Sequence, residues 1–387
     1  MSDKPTLELI EKLISFDTTS RNSNLDLIRF IEEYLSSHGI ESTRVLDEAG
    51  GKANLYATLG DPTMSGIMLS GHTDVVPVDG QDWSTDPFTL TTKGDKLYGR
   101  GTSDMKSFIA LALAYVPKFL ARGLHTPIHL AFSYDEEIGC IGVRRMIDMI
   151  NTLPVKPRMA IVGEPTSMGV IVGHKGKRSY SAHVRGLEAH SSLAPQGVNA
   201  IQYAAELITH LTSMARRIQE NGPFDELYDV SHTTVHTGVI NGGTALNIVP
   251  KDCRFDFEFR YVGDDDPDAI EAEIREFTAQ NIEPRMRKIS RDTGIDITCI
   301  NDMPGLNLNA DEEVVTFVKA LAGKNDHAKV AFGTEAGLFH TTAGVPTVIC
   351  GPGSIEQAHK PDEYIELSQL QEAAAFMDRL VDKVCKV

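Results

Sequence analysis

The chain has 387 residues, enough for two domains and for a large core that needs no disulfide or metal staple to fold. Apolar residues make up 41% and charged residues 24%, which excludes disordered, collagen-like and coiled-coil classes. The 37 Lys and Arg against 54 Asp and Glu give a net charge of −17, so generic binding to nucleic acid or to an anionic membrane is excluded.

In chain order, apolar residues at three-to-four spacing predict helices over 5–17 and 25–38, the second carrying Leu25, Ile28, Ile31 and Leu35 and ending at Gly39. Residues 53–59 and 67–70 read as strands, 105–122 as a helix stopped by Gly123, 128–134 as a strand, 138–151 as a helix and 159–162 as a strand. This alternation predicts a mostly parallel, doubly wound α/β sheet. The pattern then changes. Residues 178–185 alternate as a half-exposed strand, a long helix covers about 198–220, and strands follow at 233–241 and 252–262 (CRFDFEFRYV). Asp266 and Pro267 cap and open a helix to about 288, and a strand at 295–300 completes the set. Strand, helix, strand, strand, helix, strand is a ferredoxin-like α+β order. The α/β pattern resumes with a helix at 310–322 between Asn309 and Gly323, a strand at 346–350 and a last helix opened by a Ser368–Gln371 capping box. The expected organisation is one α/β domain, residues 1–177 and 305–387, interrupted by an inserted α+β domain at 178–304.

The five cysteines (Cys140, Cys253, Cys299, Cys350 and Cys385) are odd in number, far apart and without a CxxC pair, which argues against a disulfide framework or a thiolate zinc site. The opening MSDKPTLELIEKL is charged and amphipathic, unlike a signal peptide, and no run of about 18 apolar residues occurs. The expected setting is the cytoplasm.

Four polar clusters directly follow apolar strands: IMLSGHTDVV, HLAFSYDEEIG, MAIVGEPTS and TVICGPGSIEQAH. A fifth segment, YGRGTSDMKSF, puts Asp104 at a helix start. In an open α/β sheet the C-terminal strand ends line the ligand crevice. His72, Asp74, Asp104, Asp135, Glu136, Glu137, Glu164 and His359 therefore converge, and so many carboxylates need cations. Imidazole with carboxylate suits divalent zinc, with cobalt or manganese as substitutes. Each residue alone has a plainer reading: a buried histidine, a helix cap, a solvated loop. His72 and Asp74, two apart on a strand, share a face, and an aspartate beside a ligating histidine commonly fixes its tautomer.

The motifs SGHTDVVP, YGRGTSDMKS, YDEEIGCIG, GEPT and AHKPDEY resemble those of the M20 family of zinc-dependent amidohydrolases and peptidases, over essentially the whole chain. The resemblance implies two metal ions about 3.5–4 Å apart. It implies that His72 and Glu164 bind one ion, Glu137 and His359 the other, and Asp104 both. It further implies Glu136 as general base, Asp74 as the residue orienting His72, a cis peptide between Asp104 and Met105, and His190 of GLEAHSS as an oxyanion donor, often from the partner subunit of a dimer. The reaction so implied is hydrolysis of a small N-acyl amino acid. Arg260 offers a planar fork for the substrate α-carboxylate, with Asn247 beside it, and Glu335 in FGTEAG could meet a substrate amine. The inserted domain is expected to form a homodimer, CRFDFEFRYV pairing across a two-fold axis. Dipeptidase or carboxypeptidase activity on the same site, a broad N-acyl amino acid hydrolase and a degenerate metal-binding scaffold are the competing readings. No GxSxG elbow, P-loop or dinucleotide fingerprint is present.

Overall fold

A computed structural model describes residues 4–386. The chain forms two compact units: one comprises the chain up to Gly173, Leu306–Lys329 and the chain from Thr334, and the other comprises His174–Gly305 with Val330–Gly333. The switch thus falls at His174 rather than at residue 178.

The first unit is built on a nine-stranded mixed sheet. Its centre is parallel: Ile128–Ser133 pairs with Ile67–His72, which pairs with Met159–Val162, which pairs with Thr347–Ile349. All four strands are buried along their whole length, as expected where helices cover both faces of a parallel sheet. Antiparallel strands flank them, Ala53–Leu59 and Ser42–Leu46 on one side and Ile171–His174 on the other. The expected strands at 53–59 and 159–162 appear with those bounds.

Helix boundaries differ more. The helix expected over 105–122 is two helices, Lys106–Ala114 and Val116–Arg122, because Pro117 has no N–H for the i→i−4 ladder. The helix expected from 138 starts at Val143, since residues 135–141 form a turn in which Glu136 carbonyl accepts from Gly139 and Cys140. The helix after Asp266 is interrupted by a widened turn at Thr278–Ile282 and resumes at Glu283–Ile289 with Pro284 in its first turn. The Asp266 carboxylate does cap it, accepting the N–H groups of Asp268 and Ala269. The late helix is Glu313–Ala322, with Glu312 rather than Asn309 at its cap, and Gly323 ends it in the left-handed region. The last helix, Leu367–Val384, has Glu366 at its cap and no side-chain capping bond, so the Ser368–Gln371 box does not form.

The second unit has the expected ferredoxin-like order: Thr234–Gly242, Asp252–Tyr261, Gly176–Arg185 and Gly294–Met303 lie side by side, all antiparallel. Alternation in CRFDFEFRYV buries Cys253, Phe255, Phe257, Phe259 and Tyr261 in one core with the Ala200–Asn221 helix, while Arg254 and Glu258 face away. Tyr180 stacks on Phe257 at 5.1 Å. CRFDFEFRYV is thus an inner strand and has no free edge to pair across a two-fold. The edges are Thr234–Gly242 and Gly294–Met303. Among the described residues no helix is long and apolar enough to cross a membrane.

Candidate metal centre

The four central parallel strands end at one edge of the first unit's sheet, and a ligand candidate follows or closes each. His72 is the last residue of Ile67–His72, Glu136 and Glu137 follow Ile128–Ser133, Glu164 follows Met159–Val162, and His359 lies on the loop after Thr347–Ile349. Register aligns them: Ser70 lies opposite Val162, and His72 opposite Ser133. Two glycines let the loops close in. A Cβ on Gly163 would stand 2.1 Å from the Phe108 ring, and one on Gly351 would stand 2.1 Å from the Gly163 carbonyl oxygen.

Asp104 precedes the buried Lys106–Ala114 helix, and its peptide bond to Met105 is cis. One oxygen lies 2.9 Å from His72 Nε2 and the other 3.3 Å from His359 Nε2. Two three-residue groups, His72–Asp104–Glu164 and Asp104–Glu137–His359, each bring their ligand atoms within 4.8 Å of one another. Glu164 lies 3.9 Å from His72, and Glu137 lies 3.0 Å from His359. Asp104 belongs to both groups.

Electrostatics point the same way. Burial first, then neighbouring carboxylates, push the Glu136, Glu137 and Glu164 carboxyls above their usual range. Burial would lower the His72 imidazole, but the Asp104 hydrogen bond and the charges of Glu164, Asp104 and Glu136 raise it well above its ordinary value. Hydrogen bonds to Asp104 and Glu137 raise His359 to about 10. The donor set of two imidazoles and three carboxylates, sharing one carboxylate, fits a pair of divalent ions.

Glu136 belongs to neither group. It adjoins Glu137, and the Cys140 thiol lies 3.3 Å from its Oε1. The Asp74 carboxylate accepts the N–H of Glu136 at 3.0 Å, that of Glu137 at 3.3 Å and the Ser20 hydroxyl at 2.7 Å. Asp135 turns out of the cluster: with φ of +54°, it pairs with Lys52 Nζ at 2.6 Å.

Glu335 is only 1% exposed, so in this conformation it offers no surface to a substrate amine. Burial pushes its carboxyl up to about 7, and its charge in turn raises Glu136. His190, Asn247 and Arg260 belong to the second unit. There the Asn247 carbonyl accepts the Ser191 N–H at 2.9 Å, next to His190, while Arg260 Nε donates to Glu258 Oε1 at 2.9 Å. Lys52 and Ser20, which support this turn, escape sequence reading because they touch it only through the tertiary fold.

Residues 68–383 match the sequence profile of peptidase family M20/M25/M40. The chain belongs to the M20 family. It is 33% identical over 390 residues to the acetylornithine deacetylase of Proteus mirabilis, covering 98% of this chain and 96% of that one. Its fold is similar to that of a tripeptidase from Staphylococcus aureus, at a TM-score of 0.75 and 21% identity over 98% of both chains. It is also similar to that of a dinuclear metal-binding M20 peptidase from Bacillus subtilis, at a TM-score of 0.67 and 14% identity over 97% and 96% of the two chains. As an M20 metallohydrolase the chain acts on amide bonds.

Proposed function

We propose that this M20 enzyme hydrolyses the N-acetyl amide of N2-acetyl-L-ornithine to L-ornithine and acetate, a step of arginine biosynthesis in the cytoplasm. The substrate reading is supported by the full-length likeness to acetylornithine deacetylases. The chemistry is supported by one observation above all: Glu136 stands beside the two ligand groups and in neither of them.

His72, Asp104 and Glu164 would hold one divalent ion and Asp104, Glu137 and His359 the other, most simply zinc, with cobalt as substitute. Such a pair supplies an acidic water and an electrophile for the acyl oxygen. Glu136, its affinity for protons raised by burial, accepts the proton of the attacking water at its carboxylate and returns it to the leaving amine. His190 is the proposed oxyanion donor. Its Nδ1 faces the Ser192 hydroxyl at 2.8 Å and the Ser192 N–H at 3.2 Å; with Nδ1 accepting from both, the proton of a neutral ring would sit on Nε2, where it can be donated. Arg260 and Asn247 are the proposed partners of the substrate α-carboxylate. The second unit is proposed to make a homodimer through an outer strand, and Thr234–Gly242 exposes Val239 and Ile240 there.

Steady-state comparison of acetylornithine, succinyl-diaminopimelate, acetylmethionine and a dipeptide panel on zinc- or cobalt-reconstituted enzyme tests the substrate. A higher kcat/KM for any of the others would replace this reading by a desuccinylase, a broader N-acyl amino acid hydrolase or a dipeptidase.

A further inference from the structure

The KPDEY segment carries a buried carboxylate that the proposed reaction does not use. Glu363 is 1% exposed, and both of its oxygens are fully engaged. Oε1 accepts the main-chain N–H groups of Ser103 at 2.8 Å and Asp104 at 3.0 Å. Oε2 accepts the N–H of Gly101 at 3.0 Å and the Arg100 guanidinium at 2.7 Å. Three of the four donors are backbone groups of the loop that ends in Asp104.

Arg100 is equally buried and carries the connection onward. Its second terminal nitrogen donates to Gln81 Oε1 at 2.6 Å, which also accepts Trp83 Nε1 at 3.0 Å. The Trp83 ring lies 5.1 Å from the guanidinium carbon. Gln81 Nε2 then donates to the carbonyl oxygen of His359 at 3.0 Å. A short strand pair fixes the register of this arrangement, with Tyr364 opposite Tyr98, and the Gly99 N–H donates to the Glu363 carbonyl at 3.0 Å.

A buried ion pair is seldom retained for stability alone, since apolar packing of the same volume often does as well. What this one accomplishes is a connection. It ties the main chain at Asp104 to the main chain at His359, two of the three members of the second ligand group. His359 needs such a tie, because its side chain is 52% exposed and its φ is +63°. His72 and Glu164, by contrast, are held by burial at strand ends.

We propose that Glu363, Arg100 and Gln81 act together as positioning residues that set the placement of His359 against Asp104, and thereby the affinity of the second ligand group for a divalent cation. The proposal rests on the two-metal reading of the centre. Outer contacts of this kind typically change metal affinity by about 10- to 100-fold.

The test is zinc binding by the metal-stripped full-length chain in competition with a chromophoric chelator, with cobalt(II) absorption reporting ligand geometry. Wild type binds two equivalents. Gln81→Ala, at a partly exposed side chain, weakens the second equivalent about 10- to 100-fold and leaves the first unchanged. Glu363→Gln sets an NH2 group against N–H donors and weakens both, because Asp104 is shared. Thermal unfolding of the metal-free forms identifies any loss of fold, and Gln81→Ala carries the test alone if Glu363→Gln does not fold. Wild type binding fewer than two ions would overturn the two-metal reading and the proposal together. Wild type and Gln81→Ala binding two ions with equal affinities would overturn the proposal alone.

Discussion

His72 Nδ1 donates to the carbonyl oxygen of Asp74 at 2.9 Å, while the nearer Asp74 carboxylate oxygen is 3.6 Å away. The main chain therefore fixes the imidazole tautomer and leaves Nε2 facing Asp104, so the orienting group is the Asp74 backbone and not its side chain. The carboxylate instead holds the Glu136–Glu137 turn by its two N–H groups. Asp74→Ala is accordingly expected to lower kcat by about 10- to 100-fold through misplaced Glu136 and Glu137. His72 stays in place, so at least one ion remains bound. Metal analysis beside steady-state rates checks this, and loss of all metal would show that the carboxylate orients His72 after all.

Glu136→Gln removes the proposed proton acceptor without touching either ligand group. Turnover should fall by about 10²- to 10⁴-fold with full metal content retained. A variant keeping more than roughly a tenth of wild-type turnover would remove Glu136 from the role of base.

Glu335 raises the affinity of Glu136 for its proton through negative charge. Glu335→Gln deletes that charge, so Glu136 should lose its proton at lower pH. The acidic limb of the kcat/KM profile then moves toward acid. An unmoved limb would show that the two carboxyls do not interact in the working enzyme.

Metal uptake should release protons. His359 is held up at about 10, so its ring is protonated at neutral pH in the metal-free chain, and His72 is shifted in the same direction by Asp104 and Glu164. Affinity therefore climbs with pH. In the metal-free chain the raised His359 adds stability that is complete below its ordinary value of 6.5 and disappears as pH rises through about 10. Metal should thus raise the thermal midpoint more near roughly pH 9 than near roughly pH 6. Calorimetry in buffers of different ionisation enthalpy counts the protons. Equal midpoint shifts at the two pH values would contradict the assignment.

Much of this was legible from residue order because the parallel strands are continuous apolar runs and the polar clusters follow them directly. His72, Glu137, Glu164 and His359 come together for that reason, and Asp104 joins them from the start of the Lys106–Ala114 helix. Alternation in CRFDFEFRYV reported a half-buried face but not a place in the strand order, so an inner strand was read as an edge. Asp135 looked like its neighbours Glu136 and Glu137, yet its positive φ turns it to Lys52. Glu363 lies within the AHKPDEY motif, but its role was not legible there, since its partners are chiefly main-chain donors that only the fold brings to it.

The two ligand groups also differ in when a growing chain can complete them. His72, Asp104 and Glu164 are all present once residue 164 has been made, whereas His359 follows the entire second unit. A nascent polypeptide paused after Gly173 would already own one set of donors and would lack the other. The donor residues are thus synthesised in two instalments, one before the second unit and one after it, and Glu363, which fixes the main chain at Asp104, arrives with the later one.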